Sequence, residues 1–333
     1  MIASSMEKRL TDSLTRLIRL IKKSKKILIA THIDPDCDGI CSTLIMARLI
    51  QHFKKKTPEL FCHSPIPEKY QFLLNGYKFS KNPSSFDLLV VLDSADLERV
   101  FPKGCYDISL LDKRFVINID HHDSNKNFGS INIVDTKASS ACEIVYKIFK
   151  KFRIPIDHFL AEVFYAGIYN ETGGFMYPNT TPGALKICSE LVHKGIEPAA
   201  ISKRLNAKTL GGTRLLSVVL STIKIRKGVG IMYMTQEMLR KNRAKMSDSE
   251  NFISFLQAIK GVRVSVFFRE EKNGTRISLR SDGLIDVNKF ACKFGGGGHS
   301  LAAGIRLKEG LPAAKKKILT ALFGIVGNEN TTK

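Results

Sequence analysis

Residues 26–39 read KILIATHIDPDCDG, a short apolar run that passes directly into a loop with one histidine and three aspartates. The run 26–30 has the length and the apolar side chains of a buried strand. Two further runs, 88–92 and 115–119, also end at polar residues, and segments with helical periodicity lie between and after the runs. Strands that alternate with helices form sheets covered on both faces, so the sequence predicts an α/β fold with a mostly parallel sheet.

The length of the chain, 333 residues, predicts two domains. Helical periodicity weakens near residue 194, where glycine and proline begin to interrupt the pattern. We therefore predict an N-terminal domain, a linker and a smaller C-terminal α/β domain, at 1–194, 195–221 and 222–333.

The second domain has strand-like runs at 229–234, 262–268 and 276–279. Ser247 and Glu250 have the spacing of a capping box and predict a helix that continues to about Ile259.

The net charge of +21 comes largely from lysine clusters. Such clusters attract polyanions, but they also serve as a solubilising surface, and the composition leaves both interpretations open. Seven cysteines without a Cys-x-x-Cys pair favour reduced thiols and a cytoplasmic location.

The first residues are basic and amphipathic, as in a targeting peptide. Acidic residues interrupt them, however, and apolar residues recur at helical spacing at Leu10, Leu14, Leu17, Ile18 and Ile21. We expect an N-terminal helix rather than a transit peptide, and no membrane partner, because no apolar run reaches membrane-spanning length.

Acidic and imidazole side chains follow each of the three strand-like runs of the first domain. They are His32, Asp36 and Asp38 after the first run, Asp93 after the second, and Asp120-His121-His122-Asp123 at the third. Taken singly, the aspartates have an ordinary alternative role as helix or turn caps. Because ligands of open α/β sheets collect beyond the carboxyl ends of the strands, we expect these side chains to meet in one site.

The predicted donors are carboxylate oxygens and imidazole nitrogens, without thiolates. This mixture suits manganese, magnesium or zinc, and manganese is the natural compromise. Close packing of several carboxylates also requires a cation to offset their repulsion. One bridging carboxylate would create a centre for two divalent metal ions.

These motifs carry a family resemblance that covers nearly the whole chain. The sequence resembles the DHH phosphoesterases, named for the element Asp120-His121-His122, and within them the type with a DHH-associated second domain. A fourth motif falls on Asn170-Glu171-Thr172-Gly173, and the closing motif of the second domain falls on residues 295–299 followed by Ala302-Ala303-Gly304.

The resemblance implies a role for each matching position. His32, Asp36 and Asp93 would hold one metal ion, and Asp93 would bridge to the second. The other ligands of the second ion would be Asp38, His121 and Glu171. His122 would face the scissile phosphate as a catalytic residue, and Asp120 would brace the histidines. The family has aspartate where this chain has Glu171, so we expect weaker or altered affinity for the second ion.

The glycine-rich stretch of the second domain is the predicted substrate-binding region. Glycines allow backbone N–H groups to approach an anion closely, although a flexible hinge is their ordinary alternative role. Arg280 is a candidate phosphate ligand, with a surface ion pair as the alternative. The predicted substrate-binding residues are Arg280, Ser281, Gly296, Gly297, Gly298 and His299.

The size of the chain most resembles the oligoribonuclease and pAp phosphatase subgroup, often called nanoRNases. The resemblance implies hydrolysis of short RNA or DNA oligonucleotides, and of 3′-phosphoadenosine 5′-phosphate (pAp) to AMP. A cyclic dinucleotide phosphodiesterase would use the same machinery. A non-catalytic nucleotide-binding protein is the alternative of another class. The sequence leaves the oligomeric state open, a homodimer included.

Overall fold

The computed structural model describes residues 2–112 and 115–329. The chain divides into two compact units, residues 1–207 and 208–333. The predicted linker 195–221 contains two helices, Pro198–Leu205 and Leu210–Leu220, and the division between the units falls between them.

The sheet of the first unit is parallel throughout, and the predicted α/β class is confirmed. Its strands lie in the order β3-β2-β1-β4-β5-β6, so the chain order reverses between β1 and β4. The runs at 26–30, 88–92 and 115–119 are β1, β4 and β5 to within one residue, whereas the sequence analysis did not predict the other three strands. The six strands are β1 (Ile27–Ala30), β2 (Glu59–Phe61), β3 (Phe79–Ser80), β4 (Leu88–Leu92), β5 (Val116–Asp120) and β6 (Ile131–Val134).

Helices cover this sheet and bury its apolar side chains. The second helix is the most deeply placed, because its side chains pack against both the sheet and neighbouring helices. In the first helix Leu14, Leu17, Ile18 and Ile21 are buried, as their spacing predicts, whereas the side chain of Leu10 lies outside the described part. The helices are α1 (Ile2–Lys23), α2 (Cys37–Lys54), α3 (Ala141–Lys151), α4 (His158–Glu171), α5 (Pro182–Val192) and α6 (Pro198–Leu205).

The second unit is a smaller α/β unit. Its strands lie in the order β11-β12-β10-β9-β8-β7 and are antiparallel except for the pair β8 and β9. The strands are β7 (Lys224–Arg226), β8 (Val229–Met234), β9 (Val264–Glu271), β10 (Gly274–Ser281), β11 (Gly297–His299) and β12 (Ala302–Leu307). The helices are α7 (Leu210–Leu220), α8 (Gln236–Lys241), α9 (Phe252–Gln257), α10 (Val287–Cys292) and α11 (Leu311–Glu329).

The prediction that a helix begins at Ser247 and continues to about Ile259 is wrong about where the helix begins. A short 3₁₀ helix ends at Ser249, Glu250 is extended, and Asn251 is left-handed with φ of 63° before α9 begins. The carboxylate of Asp248 accepts hydrogen bonds from the Lys245 N–H at 2.7 Å and the Thr209 hydroxyl at 3.0 Å. These contacts hold a separate turn, and the Ser247–Glu250 capping box does not form.

Within residues 2–112 and 115–329, every helix is too short or too polar to span a bilayer.

Candidate metal centre

Three neighbouring parallel strands bring the predicted metal ligands to one edge of the first sheet. His32 lies two residues beyond β1, Asp93 follows β4 directly, and Asp120 is the last residue of β5. Since β4 pairs with both β1 and β5, the carboxyl ends of these strands lie side by side. This edge is also where the strand order reverses, the usual place for ligands in open α/β sheets.

The loop between β1 and α2 supplies one carboxylate through its helix-capping geometry. Asp36 is the N-cap of α2, and its Oδ1 accepts a hydrogen bond from the Gly39 N–H at 3.1 Å. Asp36 therefore does have the helix-capping role that was given as an alternative for these aspartates. Because Oδ1 makes the cap, Oδ2 of Asp36 remains available to face the site.

Gly39 leaves the space into which the ligands project. A Cβ atom at this position would lie 2.4 Å from the Thr31 hydroxyl oxygen, 3.2 Å from Asp93 Oδ2 and 3.4 Å from His32 Nε2. The first distance is too short for any real carbon–oxygen contact, so this position excludes a side chain.

The first ligand group consists of His32, Asp36 and Asp93. Nε2 of His32 lies 3.8 Å from Asp36 Oδ2 and 3.6 Å from Asp93 Oδ2. Nδ1 of His32 lies 2.7 Å from the carbonyl oxygen of Ile33, which can only accept, so Nδ1 carries a proton. In the neutral ring this arrangement turns the Nε2 lone pair toward the two carboxylates, as a metal ligand requires.

The second group consists of Asp38, Asp93 and His121. Nε2 of His121 lies 3.8 Å from Asp38 Oδ2 and 3.4 Å from Asp93 Oδ1. Each group has its candidate ligand atoms within 4.8 Å of one another. The two oxygens of Asp93 therefore belong to different groups, the arrangement expected of a bridging carboxylate.

Two features of Asp93 fit a bound cation. Its Oδ1 is buried and accepts no hydrogen bond from the described part of the chain, although a buried carboxylate oxygen ordinarily requires a partner. Burial raises the pKa of Asp93, but contacts with His121 and His32 outweigh burial and hold that pKa well below its ordinary value. The carboxylate is thus ionised at neutral pH and suits a divalent ion.

Asp38 is held in place by the N-terminus of α3. Its Oδ2 accepts a hydrogen bond from the Ala141 N–H at 2.6 Å, and its Oδ1 accepts one from the Cys142 N–H at 3.0 Å. Burial, together with the negative charge of Asp93, raises the pKa of Asp38 to about 7. A cation in the second group would reverse this shift, because it would offset the repulsion.

Burial lowers the pKa of His32, but the nearby carboxylates of Asp36 and Asp93 outweigh this effect and raise the pKa to about 10. Contacts with Asp93 likewise outweigh burial at His121 and raise its pKa well above the ordinary value. Without metal, the two imidazolium charges therefore balance the carboxylates.

Glu171 ends α4 and lies outside both compact ligand groups. Burial and the negative charge of Asp36 raise the pKa of Glu171 well above its ordinary value, while the nearby His121 charge opposes this shift. The main-chain carbonyl of Glu171 accepts a hydrogen bond from Asn179 Nδ2 at 3.2 Å. The predicted role of Glu171 at the second metal ion stays a prediction.

Asp120 and His122 form a separate pair beside the ligand groups. Nδ1 of His122 lies 2.7 Å from Asp120 Oδ1, and Nδ2 of Asn125 donates a hydrogen bond to Asp120 Oδ2 at 2.6 Å. The sequence analysis missed Asn125 and also Arg99, whose Nη2 lies 3.3 Å from His32 Nδ1. Arg99 follows β4 and Asn125 follows β5, the strands that carry predicted metal ligands, and this position is the one signal in the sequence that could have found them.

In the second unit the predicted substrate-binding residues surround the end of β10. The Ser281 hydroxyl accepts hydrogen bonds from the Gly283 and Ile285 N–H groups at 3.1 and 3.3 Å, and Arg280 Nη1 donates to the Leu279 carbonyl at 2.9 Å. Ser281 therefore shapes the turn after the strand.

Part of the glycine-rich stretch is a strand, which the sequence analysis did not predict. Gly297, Gly298 and His299 form the edge strand β11, which pairs with β12. A Cβ atom at Gly296 would lie 2.2 Å from the Gly304 carbonyl oxygen, and one at Gly298 would lie 2.4 Å from that of Ala302. At least two of these glycines are required for close backbone packing.

Comparison with known proteins agrees with this arrangement. The family model for the DHH family N-terminal domain matches residues 26–168, and the DHHA1 domain model matches residues 228–328. A Thermus thermophilus protein named bifunctional oligoribonuclease and PAP phosphatase NrnA is 32% identical over 313 residues, covering 92% of this chain and 93% of that protein. The chain belongs to the DHH family.

Two further proteins are similar to this chain over most of its length. The Bacillus subtilis protein of the same name is 28% identical, with 87% of this chain and 92% of that protein covered. The crystal structure of an exopolyphosphatase-related protein from Bacteroides fragilis superimposes with a TM-score of 0.83 at 25% identity and covers 96% of both chains. The DHH-family fold is thus shared along nearly the full length.

Proposed function

We propose that this chain is a two-metal phosphodiesterase and phosphatase that hydrolyses short oligonucleotides to mononucleotides and pAp to AMP. The observation that carries the proposal is the placement of Asp93, which directs one carboxylate oxygen into each of two ligand groups. The names of the Thermus and Bacillus relatives support the substrate class.

The residues present fit two divalent cations, with Mn²⁺ as the first choice and Mg²⁺ or Zn²⁺ as alternatives. His32, Asp36 and Asp93 would hold one ion, and Asp38, Asp93 and His121 would hold the other, with Glu171 as a further ligand. When bound, such ions act as Lewis acids, lower the pKa of water and neutralise charge on phosphoryl oxygens.

Residues of the chain itself orient the metal ligands and provide a hydrogen-bond donor to the substrate. His32 is held by the Ile33 carbonyl, and Asp38 is held by two N–H groups of α3, so both ligands are fixed before an ion binds. His122 is proposed as the catalytic side chain that contacts the scissile phosphate, where it would stabilise the charge that develops on oxygen. Asp120 is a positioning residue that acts through His122.

The second unit is proposed to hold the part of the substrate away from the reaction. Arg280 and His299 carry the donors that suit phosphate, and the turn formed by Ser281 supports the end of β10. A cytoplasmic location fits the reduced thiols and the nucleotide substrates, and is proposed with them.

The position of Glu171 favours a second candidate, a nucleotide-binding protein that holds a single ion. One experiment separates the two functions. Purified protein with Mn²⁺ is incubated with a linear diadenylate, pAp and cyclic di-AMP, and metal is counted per chain by mass spectrometry.

The proposed enzyme binds two ions and converts the diadenylate and pAp to AMP. The Asp93→Ala variant loses hydrolysis while retaining its cooperative thermal unfolding. Nucleotide binding without product release, in a protein with one ion or none, would establish the second candidate instead. Hydrolysis of cyclic di-AMP, without hydrolysis of the diadenylate or pAp, would change the proposed substrate to a cyclic dinucleotide.

A further inference from the structure

A second recess lies at the opposite end of the first sheet from the metal ligands. It has a volume of about 230 Å³ and is bordered by the starts of β1 and β2, the segment before β4 and the end of α2. The 18 residues of α2 connect the two ends of the sheet, with Asp38 in the first turn and Lys54 in the last. At 1.5 Å per residue, this helix places the recess about 27 Å from the metal centre.

Lysine side chains dominate the rim of the recess. Lys25 and Lys26 precede β1, and Lys54 and Lys56 come from the end of α2. Lys54 Nζ donates a hydrogen bond to the Lys22 carbonyl at 3.1 Å, so Lys25, Lys26 and Lys56 remain to meet an anion.

The neighbouring acidic groups do not neutralise this charge. Asp87 accepts hydrogen bonds from the Lys25 and Lys26 N–H groups at 2.7 and 2.8 Å, and Glu59 accepts from the Ser80 hydroxyl at 2.7 Å and the Ser84 N–H at 3.3 Å. Lysines also complement the ends of α1 and α2, but each helix C-terminus carries only about half a negative charge. The four rim lysines therefore leave an excess of about one positive charge beside the recess once both carboxylates and both helix ends are counted.

The interior of the recess has a different character from its rim. Ile27, Ile50 and Pro58 are buried and, with Phe86, form an apolar floor, while the hydroxyls of Ser84 and Ser85 lie at the edge. Lys26 Nζ donates a hydrogen bond to the Ser85 hydroxyl at 2.9 Å, which fixes one ammonium group beside the opening. An apolar floor with a cationic and hydroxyl rim matches a ligand that has a flat apolar body and a phosphate.

We propose that this recess binds a nucleoside monophosphate or another small organic phosphate of that size, independently of the metal centre. The phosphate would lie among Lys25, Lys26 and Lys56 with the Ser84 and Ser85 hydroxyls, and the apolar body would pack on Ile50 and Phe86. A volume of about 230 Å³ is of the size of one nucleotide.

AMP is the probe for the test, which uses the full-length chain in equilibrium dialysis with EDTA so that metal-dependent binding does not contribute. The paired substitution Lys25→Gln with Lys56→Gln removes two rim charges, and Ser84→Trp fills the recess without changing the charge. We expect each to weaken AMP binding at least tenfold while Mn²⁺-dependent hydrolysis of diadenylate stays unchanged. Inorganic phosphate should bind more weakly than AMP, and adenosine should not bind measurably.

A matched control distinguishes the recess from general attraction by a basic protein. Lys272→Gln with Lys308→Gln removes the same charge from exposed positions of the second unit and should change AMP affinity less than twofold. Equal loss in the control pair, or unchanged AMP binding in either recess variant, would overturn the proposal. Inorganic phosphate that binds as tightly as AMP would overturn the assignment to an organic ligand.

Discussion

His122 is oriented by a buried carboxylate, because its Nδ1 donates a hydrogen bond to Oδ1 of Asp120 across 2.7 Å. Burial raises the pKa of Asp120, but the bond to His122 outweighs burial and lowers it, so the carboxylate is ionised and can only accept. Nδ1 therefore carries a proton, and Nε2 is the atom that His122 would present to a substrate.

This pair predicts a selective effect of Asp120→Asn. The amide retains the size of the carboxylate but removes its charge, so the histidine is held and polarised less well. We expect kcat to fall by about 10- to 100-fold while KM changes less than threefold. The measurement is steady-state hydrolysis of diadenylate with Mn²⁺.

Asp123→Asn is the matched control, because it makes the same change in an exposed side chain three residues later. It should leave kcat within twofold. Equal losses in both variants would contradict the special role of the Asp120–His122 pair.

Gly39 provides a steric test of the metal centre. In Gly39→Ala the new methyl group would enter the space between Thr31, Asp93 and His32, where its distance to the Thr31 oxygen would be 2.4 Å. We expect Mn²⁺ affinity to fall by about 100-fold or more, since ligand positions tolerate only tenths of an ångström. Calorimetric titration of the metal-free protein measures this change.

Gly324→Ala makes the same substitution in α11, where a Cβ would have no neighbouring atom within 4 Å, and should leave metal affinity unchanged. Gly39→Ala with normal Mn²⁺ affinity and an intact fold would show that the ions bind elsewhere.

The gathering of His32, Asp93 and His121 could be anticipated because each follows a mainly apolar run of five residues. Such runs form central strands, and parallel pairing then fixes which ends meet. The strands β2, β3 and β6 could not be predicted in the same way, since β2 and β3 have only three and two residues and β6 has four, one of them asparagine.

The sequence also did not predict contacts that depend on the path of a turn. Asn125 reaches Asp120 because the chain turns after His122, with the Asn125 N–H donating to the His122 carbonyl at 3.1 Å. The sequence did not predict the edge strand β11, because glycine disfavours strands in general. Here the adjacent β12 backbone approaches too closely for a side chain at Gly298.

Glu171 predicts a difference between shortening its side chain and removing its charge. If Glu171 ligates the second ion, Glu171→Gln should reduce bound manganese from two ions per chain to about one, and hydrolysis should fall at least 100-fold. Glu171→Asp should retain two ions, because it keeps the carboxylate on a side chain one methylene shorter. Metal counting by mass spectrometry after gel filtration gives the stoichiometry.

Glu162→Gln is the control for this series, because it changes a glutamate in the first half of the same helix, α4, whereas Glu171 is at the end of α4 that faces His121. It should retain two ions and full activity. Two ions in Glu171→Gln would exclude this carboxylate from the metal centre.

The protonation of the metal-free centre predicts that metal affinity rises with pH. Without metal the pKa of His32 is raised to about 10 and that of Asp38 to about 7, so at pH 6 both groups carry a proton. Metal ligation requires a neutral imidazole and an ionised carboxylate, and binding must therefore release these protons. We expect the Mn²⁺ dissociation constant to decrease at least tenfold for each pH unit between 6 and 8.

Calorimetry in two buffers with different ionisation enthalpies counts the released protons directly. More protons should be released per chain at pH 6 than at pH 8, because Asp38 is protonated only at the lower pH. Asp38→Asn should remove this difference while the proton released from His32 remains. If the Mn²⁺ dissociation constant stays the same from pH 6 to 8, metal binding does not release protons from His32 and Asp38. The two groups would then not be ligands.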